Sequence, residues 1–484
     1  MRERSETTER HPPTDVRAPE PPPRGVNVVG FFEAESGLGE VSRRLAAALD
    51  SAGVPFAAIP YRDTLGRQGH LHGLSLGEAA PYDTNLICLS ADDLARFGAG
   101  VGGGFFERRY SIGVWFWETS VFRAEDRAAA RYLDELWVAS DYVRRSVVAE
   151  VEIPVHVVPV PVEPPRGPLR TRTELGLPDA FTFLFVFDYW SGERKNPAAV
   201  VRAFVEAFRP GEGPILVLKS IHGPDWRPEQ FAEVAALADG RADVLLRDGY
   251  VTEDDRDSYV AACDCYVSLH RSEGLGLTLA EAMASGKPVI ATGYSGNLEF
   301  MREHESLLVP FRLVDVPESW WAHAPGAVWA EPDVGAAARL MRRVWEHPEE
   351  ARAMGRAGRV AIVERFPLQR TAAFIADRLA DARTSGAVSA RTSRHDPRPA
   401  ILDASRALDE AGTADRLAAG PRARPSAVVR RLLRRALWPY LEDQRRFELA
   451  VLDALQALHR SVDDLERRVV GLESRRDPTD GESA

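Results

Sequence analysis

A chain of 484 residues exceeds what one ordinary core holds, so two domains with tails are expected. Its 61 Lys and Arg against 72 Asp and Glu leave a net charge of −11, which argues against a general nucleic-acid binder. Three cysteines (Cys88, Cys263, Cys265) are too few for a disulfide framework, and Cys263-x-Cys265 lacks a second ligand pair for zinc, so core thiols in a reducing cytoplasm are expected.

Residues 1–24 are charged and Pro-rich without an apolar stretch, the composition of a disordered leader and not of a secretory signal. No run reaches the roughly eighteen apolar residues of a membrane span. From residue 25 short apolar strands alternate with amphipathic helices. Residues 26–31 read as the first strand, Ser36-Gly37-Leu38-Gly39 as a turn and 40–52 as a helix; strands follow at 85–89 and 111–115, with a helix-strand pair across 124–140. Residues 155–162, VHVVPVPV, and the Pro-rich 163–168 read as an extended linker, which puts a first domain at 25–165. A second alternation, with strands at 181–187, 215–219, 244–246, 266–269 and 288–292 and closing helices over 334–380, gives a second domain at 166–384. Both halves suit an α/β, doubly wound parallel sheet.

The remaining chain divides into a disordered linker at 385–425, a helical segment at 426–475 and a tail at 476–484. The stretch 428–438 is basic and amphipathic, which suits an anionic bilayer or, equally, a solvated helix leading into the segment that follows. Val451, Leu455, Leu458, Val462, Leu465, Val469 and Leu472 form a short heptad seam, so homo-oligomerisation through 451–472 is expected.

The richest segment is His270-Arg271-Ser272-Glu273-Gly274-Leu275-Gly276-Leu277-Thr278-Leu279-Ala280-Glu281, which sets two glutamates eight positions apart across a strand, Gly loop and helix start. Such a loop turns free backbone N–H groups toward a crevice, which suits a phosphate. Between the strand at 181–187 and the next helix stand Arg194 and Lys195, adjacent cations able to clamp a diphosphate. Tyr250 and Val251 end another strand, where doubly wound sheets bind ligands. Gly37 and Gly39 let backbone approach the cleft from the first domain. Glu118, in Trp115-Phe116-Trp117-Glu118, and Asp92 are further polar candidates, each following a strand of the first domain.

These motifs resemble retaining glycosyltransferases of family 4, and Gly293-Tyr294-Ser295-Gly296-Asn297-Leu298-Glu299-Phe300 and Trp329-Ala330-Glu331-Pro332-Asp333 resemble a bacterial polysaccharide or mannosyltransferase-like branch of them. The resemblance implies the GT-B fold, two Rossmann-like domains facing across a cleft, with the last helices crossing back over the first domain. It implies Glu273 beside the donor sugar, Glu281 on the ribose, and Arg194 and Lys195 on the diphosphate as it leaves. It also implies Gly274, Leu275, Gly276, Leu277 and Thr278 around the phosphates, the base against Tyr250 and Val251, and Gly37 and Gly39 closing the pyrophosphate pocket. His270 would support the loop within reach of the donor sugar. The family histidine at the end of the strand 111–115, on the acceptor side of the reaction centre, is replaced by Glu118, which would bond a sugar hydroxyl, accept a proton or only position the aromatic cluster, with Asp92 the second acceptor-side candidate. No metal and no cofactor are expected; the donor is a nucleotide-diphosphate sugar, with GDP-mannose favoured. The acceptor expected is a glycan or lipid-linked glycan in surface polysaccharide synthesis, at the cytoplasmic face of the plasma membrane. A soluble sugar acceptor, as for a sucrose- or trehalose-type synthase, and a non-catalytic scaffold are the alternatives.

Overall fold

The computed structural model describes residues 21–384, apart from 65, 71, 72, 166 and 321. The expected linker, the basic and heptad segments, the tail and most of the leader lie outside the described residues.

A first sheet contains β1 (Val26–Gly30), β2 (Phe56–Pro60), β3 (Thr84–Cys88), β4 (Tyr110–Trp115), β5 (Glu135–Val138) and β6 (Val155–Val157). All pairings are parallel, in the order β2-β1-β3-β4-β5-β6. β1, β3 and β4 are buried along their whole length, as a sheet covered on both faces requires. Its helices include α1 (Gly37–Ser51), α2 (Ala91–Val101) and α3 (Asp141–Val147).

A second parallel sheet runs β12-β11-β10-β7-β8-β9. Its strands are β7 (Thr182–Asp188), β8 (Ile215–Ile221), β9 (Val244–Asp248), β10 (Cys265–Ser268), β11 (Val289–Thr292) and β12 (Leu307–Val309), and β13 (Phe311–Asp315) pairs antiparallel with β14 (Val328–Pro332). The helices are α4 (Gly192–Lys195), α5 (Pro197–Ala207), α6 (Gly223–Trp226), α7 (Pro228–Leu237), α8 (Glu253–Ala262), α9 (Leu277–Ala284), α10 (Val334–Glu346), α11 (Pro348–Arg365) and α12 (Leu368–Thr384). Both sheets belong to one compact unit, and the short stretch Pro317–His323 turns back on itself through Trp320 N–H to Pro317 O at 2.9 Å.

Three details differ from the sequence reading. Phe56–Pro60 is a strand that the reading does not anticipate. Val155–Val157, read as part of a linker, is the edge strand of the first sheet. The glycine turn is the first turn of α1, capped by Ser36, whose Oγ accepts from Gly39 N–H at 3.2 Å. The three thiols are buried, and burial pushes those of Cys88 and Cys263 up to about 12, so they stay protonated.

The end of the described chain returns to the first sheet. Arg378 of α12 meets the fully buried Glu135 of β5 through two bonds of 3.0 and 2.5 Å, and Tyr110 donates to the same carboxylate at 3.0 Å. Arg383 reaches Asp83 at 3.2 Å. Arg378→Ala strands a buried carboxylate, so a loss of roughly 3 kcal/mol in stability is expected. Calorimetry reads this as a lower melting temperature; an unchanged one would show that the tether contributes nothing. Among the described residues no helix is long and apolar enough to cross a membrane.

Candidate active site

Two connections at the carboxyl ends of neighbouring strands build the site. β10 runs into a loop whose His270, Ser272 and Glu273 are buried, and the loop enters α9 through Gly276. Gly276 has φ +88°, a left-handed conformation that any side chain would strain. The first N–H groups of α9, at Leu277 and Thr278, have no partner within the helix. β7 runs into the single turn α4, which ends at Asn196 with φ +56°. Asn196 Nδ2 donates to Leu269 O at 3.1 Å and Arg271 N–H donates to Arg194 O at 2.7 Å, so the two connections are stitched together.

That stitching brings four of the predicted residues into one cluster. Lys195 Nζ lies 2.5 Å from Glu273 Oε1, and Arg194 Nη1 lies 3.1 Å from Glu273 Oε2. Arg194 Nη1 also donates to Ser272 O at 2.7 Å, and its Nη2 lies 3.8 Å from Glu118 Oε1, beyond the end of β4 in the other sheet. Burial pushes the Glu273 carboxyl up, but Lys195 and Arg194 outweigh it and hold it at about 2. Burial depresses the Arg194 guanidinium, and Glu273 and Glu118 more than restore it. Glu273 and Arg194 are therefore both charged at neutral pH, held in that state by each other.

The glycine loop is clasped from both sides. A Cβ on Gly274 would sit 3.2 Å from Trp117 O, and Ser140 Oγ–H donates to Gly274 O at 2.6 Å. On the other flank, a Cβ on Gly296 would fall 2.2 Å from that carbonyl oxygen. Ser295, a non-glycine at φ +77°, accepts from Glu273 N–H at 2.7 Å through its Oγ, so local backbone strain is spent on holding the glutamate. Arg271 ties the loop to β14 through Glu331 at 2.9 Å. The motifs at 293–300 and 329–333 thus brace the loop.

His270 is fully buried. Its Nε2 faces two acceptors, Asn297 Oδ1 at 3.1 Å and Tyr294 O at 3.3 Å, which places the proton there and leaves Nδ1 to accept from Ser268 Oγ at 3.2 Å. Burial keeps its pKa low, so it is a neutral prop beneath the loop. Leu275 is buried with the core.

Other predicted residues stand in different surroundings. Tyr250 OH is 2.8 Å from His222 Nε2, whose Nδ1 is 2.8 Å from Asp188 Oδ1, and Arg67 covers the tyrosine ring at 4.5 Å. Val251 follows in the same loop. Asp92 is buried at the head of α2, 3.9 Å from Arg96. A Cβ on Gly39 would strike Ala34 O at 2.4 Å, so its missing side chain serves the packing of α1 on the β1 turn, and Gly37 has open space around it. Glu281, in the second turn of α9, is held at 2.5 Å by Arg44 of α1. Sequence reasoning missed Arg44, Ser140 and Tyr142, the last of which accepts from Ser272 Oγ–H at 3.2 Å. Ser140 caps α3 just past β5, and the strand-end rule for ligand sites was the available signal.

Glu40, like Glu273, is held at about 2: burial raises it, and Arg44 and Arg43 more than offset this. Both lie below their ordinary 4.5, so the stability they contribute is complete above that pH and is lost as pH falls toward 2. Melting temperature is expected to hold above about pH 5 and to drop between 4.5 and 2, less steeply in Glu273→Gln. Equal slopes in the variant and the parent would contradict the ion-pair account.

Residues 221–361 match the family described as Glycosyl transferases group 1. The D-inositol 3-phosphate glycosyltransferase of Acidothermus cellulolyticus is 30% identical over 231 residues, which is 46% of this chain and 49% of that protein. The match thus spans about half the length of this curated relative. The sucrose-phosphate synthase of Thermosynechococcus elongatus superposes with a TM-score of 0.54 at 17% identity, over 75% of this chain and 100% of that one. HepE of Anabaena, solved with UDP-glucose, gives 0.54 at 15% identity over 74% and 99%. A glycosyltransferase of Rickettsia africae gives 0.52 at 12% identity over 76% and 100%. The fold is GT-B. The matched residues 221–361 contain Tyr250 and the whole 270–281 segment, while Arg194 and Lys195 precede them.

Proposed function

We propose that the protein is a nucleotide-sugar-dependent, retaining glycosyltransferase, and the observation that carries this is the Glu273, Lys195, Arg194 and Glu118 cluster at the carboxyl ends of β10, β7 and β4. As the bond from the sugar to the β-phosphate breaks, negative charge grows on the diphosphate. Arg194 and Lys195, already fixed, stabilise that charge without reorganising, and they do so without a metal. Glu273 lies on the sugar side of the leaving group and Glu281 takes the ribose. Retention follows from same-face attack through an oxocarbenium-like centre, so no pair of carboxyl groups about 5 Å apart is needed.

A glycan or lipid-linked glycan of surface polysaccharide synthesis is the acceptor in the first reading. A relative named for D-inositol 3-phosphate favours a second, a small soluble acceptor. Residues 428–438 would bring the enzyme to the inner face of the membrane, and 451–472 would pair two copies; sedimentation with anionic vesicles, with and without residues 426–484, tests the first of these. The deciding experiment incubates the protein with UDP-, GDP-, ADP- and TDP-sugars and either acceptor class, and follows nucleotide release and anomeric configuration of the product. Inversion, or release equal in Lys195→Ala, would sink the proposal.

A further inference from the structure

Glu281 lines a cavity of about 230 Å³ walled by α1, α8, α9 and the crossover at 161–165. Its polar lining sets Arg44, Arg256 and Ser285 beside the carboxylates of Glu40, Glu163, Glu253, Asp257 and Glu281, donors among a majority of acceptors, which suits hydroxyl groups better than a bare anion. Arg44 reaches into this wall from the first sheet and uses every nitrogen of its fork. Nε donates to Glu40 Oε1 at 2.6 Å, Nη1 to Pro161 O at 2.9 Å and Nη2 to Glu281 Oε1 at 2.5 Å. A planar guanidinium engaged on three sides cannot rotate, and it fixes the carboxylate that it meets. Glu281 Oε2 makes no hydrogen bond among the described residues. Arg256 of α8 also lines the cavity, 3.1 Å from Asp257, and the Glu281 carboxylate is the main cause that raises its pKa.

We propose that Arg44 is a positioning residue of the nucleotide site, holding Glu281 by one oxygen from the opposite sheet so that the other is presented to a ribose hydroxyl of a nucleoside diphosphate. The inference rests on the reading of Glu281 as the ribose ligand. It also gives the two oxygens different roles, one belonging to the architecture and the other to the ligand. Arg44→Lys keeps the charge but gathers its donors on one nitrogen, which cannot span the three acceptors as the planar fork does.

Titration calorimetry on the full chain with UDP, GDP, ADP and TDP tests it, the ligand that binds being carried through the variants. Glu281→Ala is expected to weaken binding by about tenfold or more, Arg44→Met by roughly three- to tenfold and Arg44→Lys by less. In the Glu281→Ala background, Arg44→Met should add nothing, because its effect passes through the carboxylate. With the sugar nucleotide, the donor KM should rise in Arg44→Met while kcat holds. Normal binding by Arg44→Met beside a weakened Glu281→Ala overturns the inference and leaves the ribose reading standing. Additive losses overturn it too, by showing that Arg44 touches the nucleotide itself. Unchanged binding in Glu281→Ala, or no binding of any of the four diphosphates, brings down both. If Arg44→Met does not fold, Arg44→Lys, alone and with Glu281→Ala, carries the same comparison.

Discussion

Lys195→Ala is expected to lower the rate of sugar transfer by about 10²- to 10³-fold, the loss that follows removal of one preorganised donor from a developing anion. The ammonium lies 2.5 Å from Glu273 and is only 16% exposed, so it is both placed and shielded from water. Its charge matters most when the diphosphate departs, and the loss should therefore fall on kcat more than on donor KM. Removing it also leaves Glu273 with Arg194 alone, at 3.1 Å. A structural artefact is separated by melting temperature and by Lys195→Arg, which restores a cation. Steady-state release of the nucleotide is the measurement, and a kcat within threefold of the parent would remove Lys195 from the mechanism.

Glu273→Gln should do something less intuitive: lose transfer and bind free nucleoside diphosphate more tightly. In the unliganded site both cations are spent on this carboxylate, so an incoming diphosphate must compete with it and bear its repulsion. Glutamine keeps the shape and removes the charge. A gain of roughly tenfold in affinity, about 1.4 kcal/mol, is expected, small against the gross Coulomb energy because solvent and Glu118 still share the cations. Transfer should fall by about 10²-fold, since the group facing the sugar is gone. The variant also leaves the buried Arg194 and the part-buried Lys195 without their closest counter-charge, so it should melt earlier when empty and recover more on adding the nucleotide than the parent does. Calorimetric affinity equal to or weaker than the parent's would mean that Glu273 does not oppose the diphosphate.

The cluster was legible because its signals are local. Arg194 with Lys195 and Glu273 with Glu281 each sit at a strand-to-helix crossing, where position along the chain predicts position at the sheet edge. Arg44, Ser140 and Tyr142 were not legible, since their contacts cross from one sheet to the other and no spacing encodes that distance. The edge strands failed for another reason. Phe56–Pro60 and Val155–Val157 are short and end at or beside proline, which reads as interruption; at a strand end or sheet edge the missing N–H costs little. Glycine at 37 and 39 likewise hid the first turn of α1, because its weak helix propensity outweighed the Ser36 cap in the reading.

The salt bridge between Glu135 and Arg378 also has a meaning in time. The carboxylate is made early and placed on β5, next to the edge of the first sheet, and its counter-ion lies 243 residues later in the chain. During synthesis from the amino terminus, the first sheet therefore emerges long before it is electrostatically complete, with Glu135 met only by the neutral donors Tyr110 and Trp137 of its own sheet. The two halves resemble independent modules in space, but they mature together, and the last described helix is the step that commits the first sheet.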